Sequence, residues 1–325
     1  MKSVSRSAAI VAGMLLACCA TLAGAQQYPA KPIRIIVQFT PGTSTDILAR
    51  VIAHKMGEDW GQQVVIDNRP GAGGVVGTEL GAKASPDGYT LTMAVSSAFG
   101  INPTLYQKLP YDAIKDFAPI ANLGLTPQTL VTNPSAAFKT VKEFVAAAKN
   151  KPAQINYASL GSGSTSHLTM EMFRATAGIK LNHVPFKGSA DAHTQLIGGQ
   201  IPVMFDAIPA TQPHVKSGKL RGLGIATLKR SPFLPDLPTI AESGYPGFEA
   251  VGWIGIAAPA QTPTAILDKL NAEMVKILNQ PDVKERLNTL AFTPVGDTRA
   301  QFAAYMKSEI AKWGKAVKES GAKAD

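Results

Sequence analysis

Two turns rich in glycine and hydroxyl side chains carry the residues best suited to bind an anion. The first turn follows the apolar run 33–39 and contains Thr40, Thr43, Ser44, Thr45 and Asp46. The second follows the apolar run 155–158 and contains Ser162, Ser164, Thr165 and His167. A helical pattern begins after each turn, and the first N–H groups of a helix lack internal acceptors and carry partial positive charge. Together with uncharged hydroxyl donors, two such turns predict a site for a carboxylate.

Helix capping is a simpler explanation of the same residues. Thr43-x-x-Asp46 fits a capping box, and Ser164 or Thr165 fits the N-cap of the helix that follows. For one turn alone, capping would suffice. Two similar turns in separate parts of the chain favour a shared carboxylate site between them, because ligands of open α/β sheets bind beyond the carboxyl ends of the strands.

Three further segments supply candidate ligand contacts. Paired hydroxyls end a predicted strand at Ser96 and Ser97, and a predicted helix follows Phe186, Lys187 and Gly188. The ammonium group of Lys187 can attract an anion or can simply be solvated. Asp206 comes directly after an apolar strand, where its carboxylate can accept a hydrogen bond from ligand or water, or cap a helix and hold the fold.

The templates for catalysis, cofactors and metals do not match this chain. The glycine-rich run 71–77 has Val76 in place of the third glycine of a dinucleotide fingerprint, and the run 161–167 lacks the ending of a P-loop. The five histidines show no metal-ligand spacing. We therefore expect no catalytic residue, no metal and no cofactor. The alternative that stays open is an exported serine-type hydrolase that uses Ser162 or Ser164 with His167.

The segments that must position these residues alternate between short apolar runs and helical patterns. Strands are predicted at 33–37, 64–66, 90–95, 155–158, 183–186 and 202–205, with helices between them. This alternation predicts an α/β fold with largely parallel sheets. No low-complexity linker separates two halves, so we expect two lobes joined by crossing strands.

The composition excludes intrinsic disorder and argues against a nucleic-acid partner. Of the 325 residues, 45% are hydrophobic and only 17% are charged, the reverse of a disordered composition. The formal charge of +9 is spread along the chain without a run of lysine and arginine. A basic run of that kind is what marks a nucleic-acid surface.

The N-terminus has the pattern of a signal peptide over residues 1–25. Two positive charges precede the apolar stretch 8–22, and Ala23-Gly24-Ala25 supplies the small residues of a cleavage site. We therefore expect export to the periplasm. Leu15-Leu16-Ala17-Cys18 loosely resembles a lipobox, so lipid anchoring at Cys18 is an alternative. Both cysteines lie in this leader, so the soluble mature form would have no disulfide.

The motifs of the mature chain resemble those of the Bug family, the extracytoplasmic solute receptors of tripartite tricarboxylate transporters. The resemblance rests on segments spread over the chain, among them Pro41-Gly42 with Asp46, Asp67-Asn68-Arg69-Pro70-Gly71, Pro86-Asp87-Gly88-Tyr89, Gly161-x-Gly163-x-x-Ser166-His167, Gly198-Gly199-Gln200-Ile201 and Leu237-Pro238-Thr239. The chain departs from the family pattern at Thr43, where a glycine is usual, and over 190–194.

The resemblance implies a two-lobed periplasmic-binding-protein type II (Venus flytrap) fold and a receptor rather than an enzyme. Lobe 1 would comprise 26–122 and 229–325, and lobe 2 the inserted residues 123–228, with each bound placed to within about ten residues. The implied ligand is a small organic carboxylate, either a di- or tricarboxylate or an aromatic acid such as terephthalate. The implied partner is a membrane permease of the tripartite tricarboxylate transporter type, which the receptor would serve as a monomer. A membrane sensor that responds to the ligand-bound receptor is the alternative partner.

Overall fold

The computed structural model describes residues 28–324. The predicted signal peptide, including Cys18, lies outside this range. Between residues 28 and 324, no helix combines the length and the apolar character that a bilayer span requires.

Strands and helices alternate along the described chain. The strands are β1 (Ile33–Val37), β2 (Val64–Asn68), β3 (Thr90–Val95), β4 (Phe117–Thr132), β5 (Asn156–Ser159), β6 (Asn182–Pro185), β7 (Val203–Ala207), β8 (Arg221–Ile225), β9 (Val251–Pro259) and β10 (Thr293–Pro294). The helices are α1 (Ser44–Trp60), α2 (Val75–Ala82), α3 (Asn102–Leu105), α4 (Val141–Asn150), α5 (Thr165–Ala177), α6 (Ser189–Ile197), α7 (Ile208–Lys216), α8 (Thr264–Asn279), α9 (Pro281–Thr289) and α10 (Arg299–Ser320). A 3₁₀ turn covers Ala72–Gly74, and a π-helical turn covers Ser96–Ile101.

Hydrogen bonds link the strands in the order β2-β1-β3-β9-β4-β7-β5-β6, with β8 and β10 also paired to β4. β1 is parallel to β2 and β3, and β5 is parallel to β6 and β7. Parallel neighbours need a long connection, and here helices supply it. β1 and β5 therefore each lead into a helix, which places both hydroxyl-rich turns at the carboxyl ends of strands inside the sheet.

β4 and β9 carry the chain between two lobes. β4 is antiparallel to β9 as far as Pro127, which lies opposite Val251, and it is antiparallel to β7 from Gln128, which lies opposite Ala207. The change of partner at this point takes β4 out of one half-sheet and into the other. The two halves are thus joined by backbone that is itself part of the sheet.

Each half-sheet has its own apolar core. The core of lobe 1 packs β1, β3 and β9 against α1 and α8, and the core of lobe 2 packs β5 and β7 against α4 and α5. α10 contributes to both, because Phe302 lies in the first core and Trp313 in the second. The C-terminal helix therefore spans the two lobes.

The bounds of the lobes depend on which apolar core the segment 229–250 packs against. Ile240, Phe248 and Ala250 pack in the core of lobe 2, and Leu234 packs beside Ile225. We therefore propose that the chain crosses between the lobes at 127/128 and again at 250/251. This division places the segment 229–250 in lobe 2. The first crossing lies within about ten residues of the bound at 122 expected from the sequence, and the second lies further than that beyond the expected bound at 229.

Candidate functional site

The N-termini of α1 and α5 are built in the same way. Thr43 caps α1 in an extended conformation (φ −72°, ψ 158°), and its hydroxyl accepts the amide of Asp46 at 3.4 Å. Ser164 caps α5 in the same conformation (φ −68°, ψ 157°), and its hydroxyl accepts the amide of His167 at 3.2 Å. Each cap satisfies the third N–H group of its helix, so the first two N–H groups have no acceptor within the helix. Those groups belong to Ser44 and Thr45 in α1 and to Thr165 and Ser166 in α5.

Both helix N-termini line one cavity of about 50 Å³ where the lobes meet. Lobe 1 contributes Phe39, Thr43, Ser44, Thr45, Val95, Ser97, Thr126, Trp253 and Ile254 to its walls. Lobe 2 contributes Gln128, Leu160, Ser164, Thr165, Ser166, Asp206 and Ala207. Seven side chains that the sequence singled out for binding thus surround one space: Thr43, Ser44, Thr45, Ser97, Ser164, Thr165 and Asp206.

Three buried hydrogen-bond donors at this cavity have no partner within the described chain. They are the hydroxyls of Ser44 and Ser97 and the indole N–H of Trp253. A buried donor left unsatisfied costs about 1–3 kcal/mol. None of the described residues that line the cavity is a lysine or an arginine. The arrangement therefore suits an anion that accepts several hydrogen bonds from neutral donors, and a carboxylate is such an anion.

Asp206 brings an acceptor to the same cavity. One carboxylate oxygen, Oδ1, accepts the amide of Ala207 at 2.8 Å. The other, Oδ2, lies 3.1 Å from Nε2 of His193, but the two atoms are not aligned for a hydrogen bond. Both side chains are less than 5% exposed, so the cavity has one buried carboxylate among its donors.

Asp46 was predicted as a ligand contact, and the structure places its carboxylate in a network behind the cavity. Its two oxygens accept the amide of Gly42 at 3.0 Å, the side-chain amide of Asn68 at 3.0 Å and two N–H groups of Arg50 at 2.9 Å. Burial alone would raise the pKa of Asp46, but these hydrogen bonds outweigh burial and hold the pKa below its ordinary value. Its carboxylate stabilises the turn that presents Thr43 and Ser44.

Three other predicted contacts lie beside the cavity and shape its walls. The hydroxyl of Ser96 accepts the amide of Trp253 at 2.9 Å and lies 3.4 Å from the hydroxyl of Thr165, which belongs to the other lobe. The carbonyl oxygen of Ser162 accepts the hydroxyl of Tyr106 at 3.0 Å. Nδ1 of His167 accepts the amide of Gly163 at 3.2 Å, and the ring stacks on His183 with centroids 4.3 Å apart.

The remaining predicted contacts lie at the edge of the cleft. Thr40 and Gly188 approach each other from opposite lobes so closely that a Cβ atom on Gly188 would overlap the Thr40 hydroxyl. Phe186 packs against the small apolar cluster of lobe 2, and Lys187 is exposed to solvent. None of these four residues is among the described residues that line the cavity.

Sequence reasoning missed the contribution of β4 and β9 to the cavity. Thr126 and Gln128 come from the point where β4 changes partners, and Trp253 comes from the paired strand β9. No motif marks these residues, because their position depends on which strand pairs with which. The sequence also did not predict the π-helical turn that follows β3. At the start of this turn, Ser96 bonds to Trp253 of β9, and Ser97 lines the cavity.

Comparison with known proteins places these features among periplasmic receptors. Residues 48–322 match the model of a family described as "Tripartite tricarboxylate transporter family receptor". The chain is similar to the periplasmic binding protein BugD, with 34% identity, a TM-score of 0.87 and coverage of 92% of this chain and 100% of the other. These similarities confirm the predicted two-lobed fold.

Two similar solved structures contain a named acid. One is Rpa4515 of R. palustris with adipate, which is 34% identical to this chain. The match has a TM-score of 0.89 and covers 92% of this chain and 100% of Rpa4515. The other is MatC of Rhodopseudomonas palustris with bound malate, which is 33% identical to this chain. The match has a TM-score of 0.85 and covers 89% of this chain and 100% of MatC.

Proposed function

The chain belongs to the tripartite tricarboxylate transporter receptor family, which the Bug proteins share, and from this premise we propose that it captures a small organic carboxylate between its lobes and delivers it to a membrane permease of that transporter type. Members of this family are periplasmic solute-binding receptors. The proposal adds the class of ligand, the residues that hold it and the partner that receives it.

One observation carries the proposed ligand class: two helix N-termini from different lobes meet at a cavity where three neutral donors have no partner within the described chain. The amides of Ser44 and Thr165 and the hydroxyl of Ser97 can converge on one carboxylate. A hydrogen bond to a charged group contributes about 1.5–3 kcal/mol, so three or four of them hold an anion without an arginine. The partial positive charge of both helix ends adds to this attraction.

The dimensions of the cavity favour a compact acid. A volume of about 50 Å³ corresponds to roughly four ordered water molecules. Adipate and malate in two relatives support the aliphatic end of the range predicted from the sequence. We propose a short aliphatic di- or hydroxycarboxylate in preference to an aromatic acid such as terephthalate, which would require the lobes to stand further apart.

Removal of two unpartnered hydroxyls tests this site. We expect the Ser44→Ala/Ser97→Ala double variant to bind its best carboxylate at least tenfold more weakly than the wild type, since each lost bond to a charged acceptor contributes about 1.5–3 kcal/mol. Titration calorimetry with succinate, malate and adipate measures the affinities. Thr176→Ala is the matched control, because its hydroxyl is exposed at the far end of α5 and bonds only the carbonyl of Met172 within the described chain.

The two parts of the proposal fail in different ways. If the wild type bound no acid from a broad carboxylate library, the ligand class would be wrong. If the double variant bound as tightly as the wild type, the ligand class would stand and the assignment of the cavity would be wrong. A pull-down with the ligand-loaded receptor tests the partner. We expect it to capture the permease; capture of a membrane sensor instead would contradict the proposed partner.

The local geometry favours a receptor over the serine-type hydrolase. A hydrolase needs a serine hydroxyl that donates to the ring of a base. Instead, the hydroxyl of Ser164 accepts the backbone amide of His167, and Nδ1 of that ring accepts the amide of Gly163. Both side chains are thereby engaged in holding the turn at the start of α5.

A further inference from the structure

Asp206 is the one acidic side chain among the described residues that line the cavity. An ionised carboxylate accepts hydrogen bonds and cannot donate them. Asp206 lines the cavity, and its Oδ2 atom is buried and accepts no hydrogen bond from the described chain. A second carboxylate placed against this oxygen would be repelled, because two negative charges at close range in a dry site are strongly unfavourable. The atom of the ligand that faces Asp206 must therefore be a donor.

His193 lies against Asp206 and is not among the described residues that line the cavity. Its Nε2 atom is 3.1 Å from Oδ2 and both side chains are almost fully buried. His193 lies on α6, and Asp206 lies on β7. The two atoms are not aligned for a hydrogen bond, so the imidazole leaves Oδ2 without a donor from the described chain.

The groups that face this pair from neighbouring elements are His214 on α7 and Lys219 in the loop that follows. The rings of His193 and His214 are in edge-to-face contact with centroids 5.0 Å apart. Burial, followed by the charges of His193 and Lys219, lowers the pKa of His214 below its ordinary value. His214 is therefore neutral near pH 7, and it does not compete for the carboxylate of Asp206.

We propose that Asp206, positioned by His193, selects acids that carry a hydrogen-bond donor, a hydroxyl or an ammonium group, on the carbon next to the carboxylate. This inference rests on the proposed function and names its ligand more narrowly. The donor must be close to the carboxylate, because Asp206 and the two helix N-termini line the same cavity of about 50 Å³. A ligand without the donor leaves a buried acceptor unpaired, and such sites discriminate strongly against analogues that lack the group.

Three acids that differ only at one carbon test the inference: succinate, malate and aspartate. We expect the wild type to bind malate or aspartate at least tenfold more tightly than succinate in titration calorimetry. In Asp206→Asn, this advantage should fall below threefold, while the affinity for succinate stays the same or rises because the repulsion is gone. The preferred member of the pair, malate or aspartate, identifies the donor as a hydroxyl or an ammonium group.

His193→Leu provides a second variant in case Asp206→Asn folds poorly, and thermal melting of each variant monitors folding. We expect His193→Leu to reduce the advantage of malate or aspartate with little change for succinate, as a positioning residue should. His54→Leu is the control, because His54 is a largely exposed histidine on α1, remote from Asp206 in the sequence.

Each result bears on one of the two claims. If the wild type bound none of the acids, the proposed function would fail. If it bound all three equally well, the proposed function would stand and the role of Asp206 would be refuted. A uniform loss of affinity for all three acids in Asp206→Asn would mean that Asp206 merely supports the fold, which also refutes the inference.

Discussion

Thr43 and Ser164 cap their helices and line the cavity, so the proposed ligand site would share residues with two helix caps. The sequence left capping and binding as alternatives, and the geometry makes them compatible. Each cap uses one hydroxyl to satisfy the third amide of its helix. The two amides before it and the hydroxyl of Ser44 then remain for a ligand. Replacing either cap would weaken the helix and the site together, which is why Ser44 and Ser97 are the better test residues.

Asp46 leads to a prediction at the residue scale. Its carboxylate accepts four hydrogen bonds, from Gly42, Arg50 and Asn68, and none of these partners is a ligand. We expect Asp46→Asn to lower the free energy of unfolding at pH 7 by about 1–3 kcal/mol, because it leaves charged and polar partners unsatisfied. Urea denaturation followed by circular dichroism measures this loss.

The pH dependence of this loss follows from the lowered pKa of Asp46. A carboxyl whose folded pKa lies below its unfolded value of about 3.9 stabilises the fold above that pH. The stabilisation disappears as the pH falls through the folded pKa, so wild type and Asp46→Asn should converge below about pH 4. Asp191→Asn, an exposed acid in the first turn of α6, should change little at either pH. Equal stability of wild type and Asp46→Asn at pH 7 would contradict the structural role.

At the scale of elements, α10 links the two lobes by packing against the apolar core of each. Phe302 and Met306 near its start lie in the core of lobe 1. Trp313 and Val317 near its end lie in the apolar cluster of lobe 2, which also includes Ile101 and Leu105 of lobe 1. The indole N–H of Trp313 donates to Oε2 of Glu309 at 2.8 Å. The helix thus restrains the lobes in addition to the two crossing strands.

Trp313→Ala tests the contribution of this helix. We expect a loss of about 3–5 kcal/mol in the free energy of unfolding, because a fully buried aromatic side chain leaves a cavity and Glu309 loses its donor. Urea denaturation of Lys315→Ala, an exposed neighbour on the same helix, supplies the control. A loss below 1 kcal/mol in Trp313→Ala would show that the end of α10 does not hold lobe 2.

At the scale of the whole molecule, the two lobes approach each other closely at two glycines. A Cβ atom on Gly73 of lobe 1 would overlap the carbonyl oxygen of Ser162 in lobe 2, and one on Gly188 would overlap the hydroxyl of Thr40. Gly188 has an extended backbone (φ −177°, ψ 173°), which any residue adopts without strain. Its lack of a side chain therefore matters for the approach of the lobes and not for the local backbone.

Gly188→Ala should consequently hinder closure without unfolding the protein. We expect affinity for the best carboxylate to fall at least tenfold, while the free energy of unfolding changes by less than about 1 kcal/mol, the usual range for a substitution that strains nothing in its own lobe. Small-angle scattering of the ligand-saturated variant should show a larger radius of gyration than the wild type.

A second substitution separates closure from other effects of Gly188→Ala. Thr40→Gly removes the atoms that the new methyl group meets, so Gly188→Ala/Thr40→Gly should regain part of the lost affinity. Gly57→Ala, on α1 and with only an ordinary contact to its new methyl group, is the control. If Gly188→Ala bound the acid normally, the contact between Thr40 and Gly188 would not limit closure.

The sequence by itself determined the local features of this protein. The run 33–37, the hydroxyl-rich turns and the helices after them could be read directly, because strand alternation, capping and turn chemistry depend on residues that are close in the chain. The motifs also identified the family. Seven of the predicted contacts, including Ser44, Ser97 and Asp206, lie together at the cavity, although their role in binding stays a prediction.

Only the tertiary structure decided what those local features do together. The strand β9, the partner change at Pro127 and the buried indole of Trp253 depend on pairing between residues more than 100 positions apart. Asp206 and His193 are closer in the chain, but their contact also depends on tertiary packing, because the two residues lie on different elements. Local patterns carry no information on such partners, because burial and pairing arise from the packing of the whole chain. For that reason the sequence could propose two anion-binding turns, but only the folded chain shows that they face one cavity.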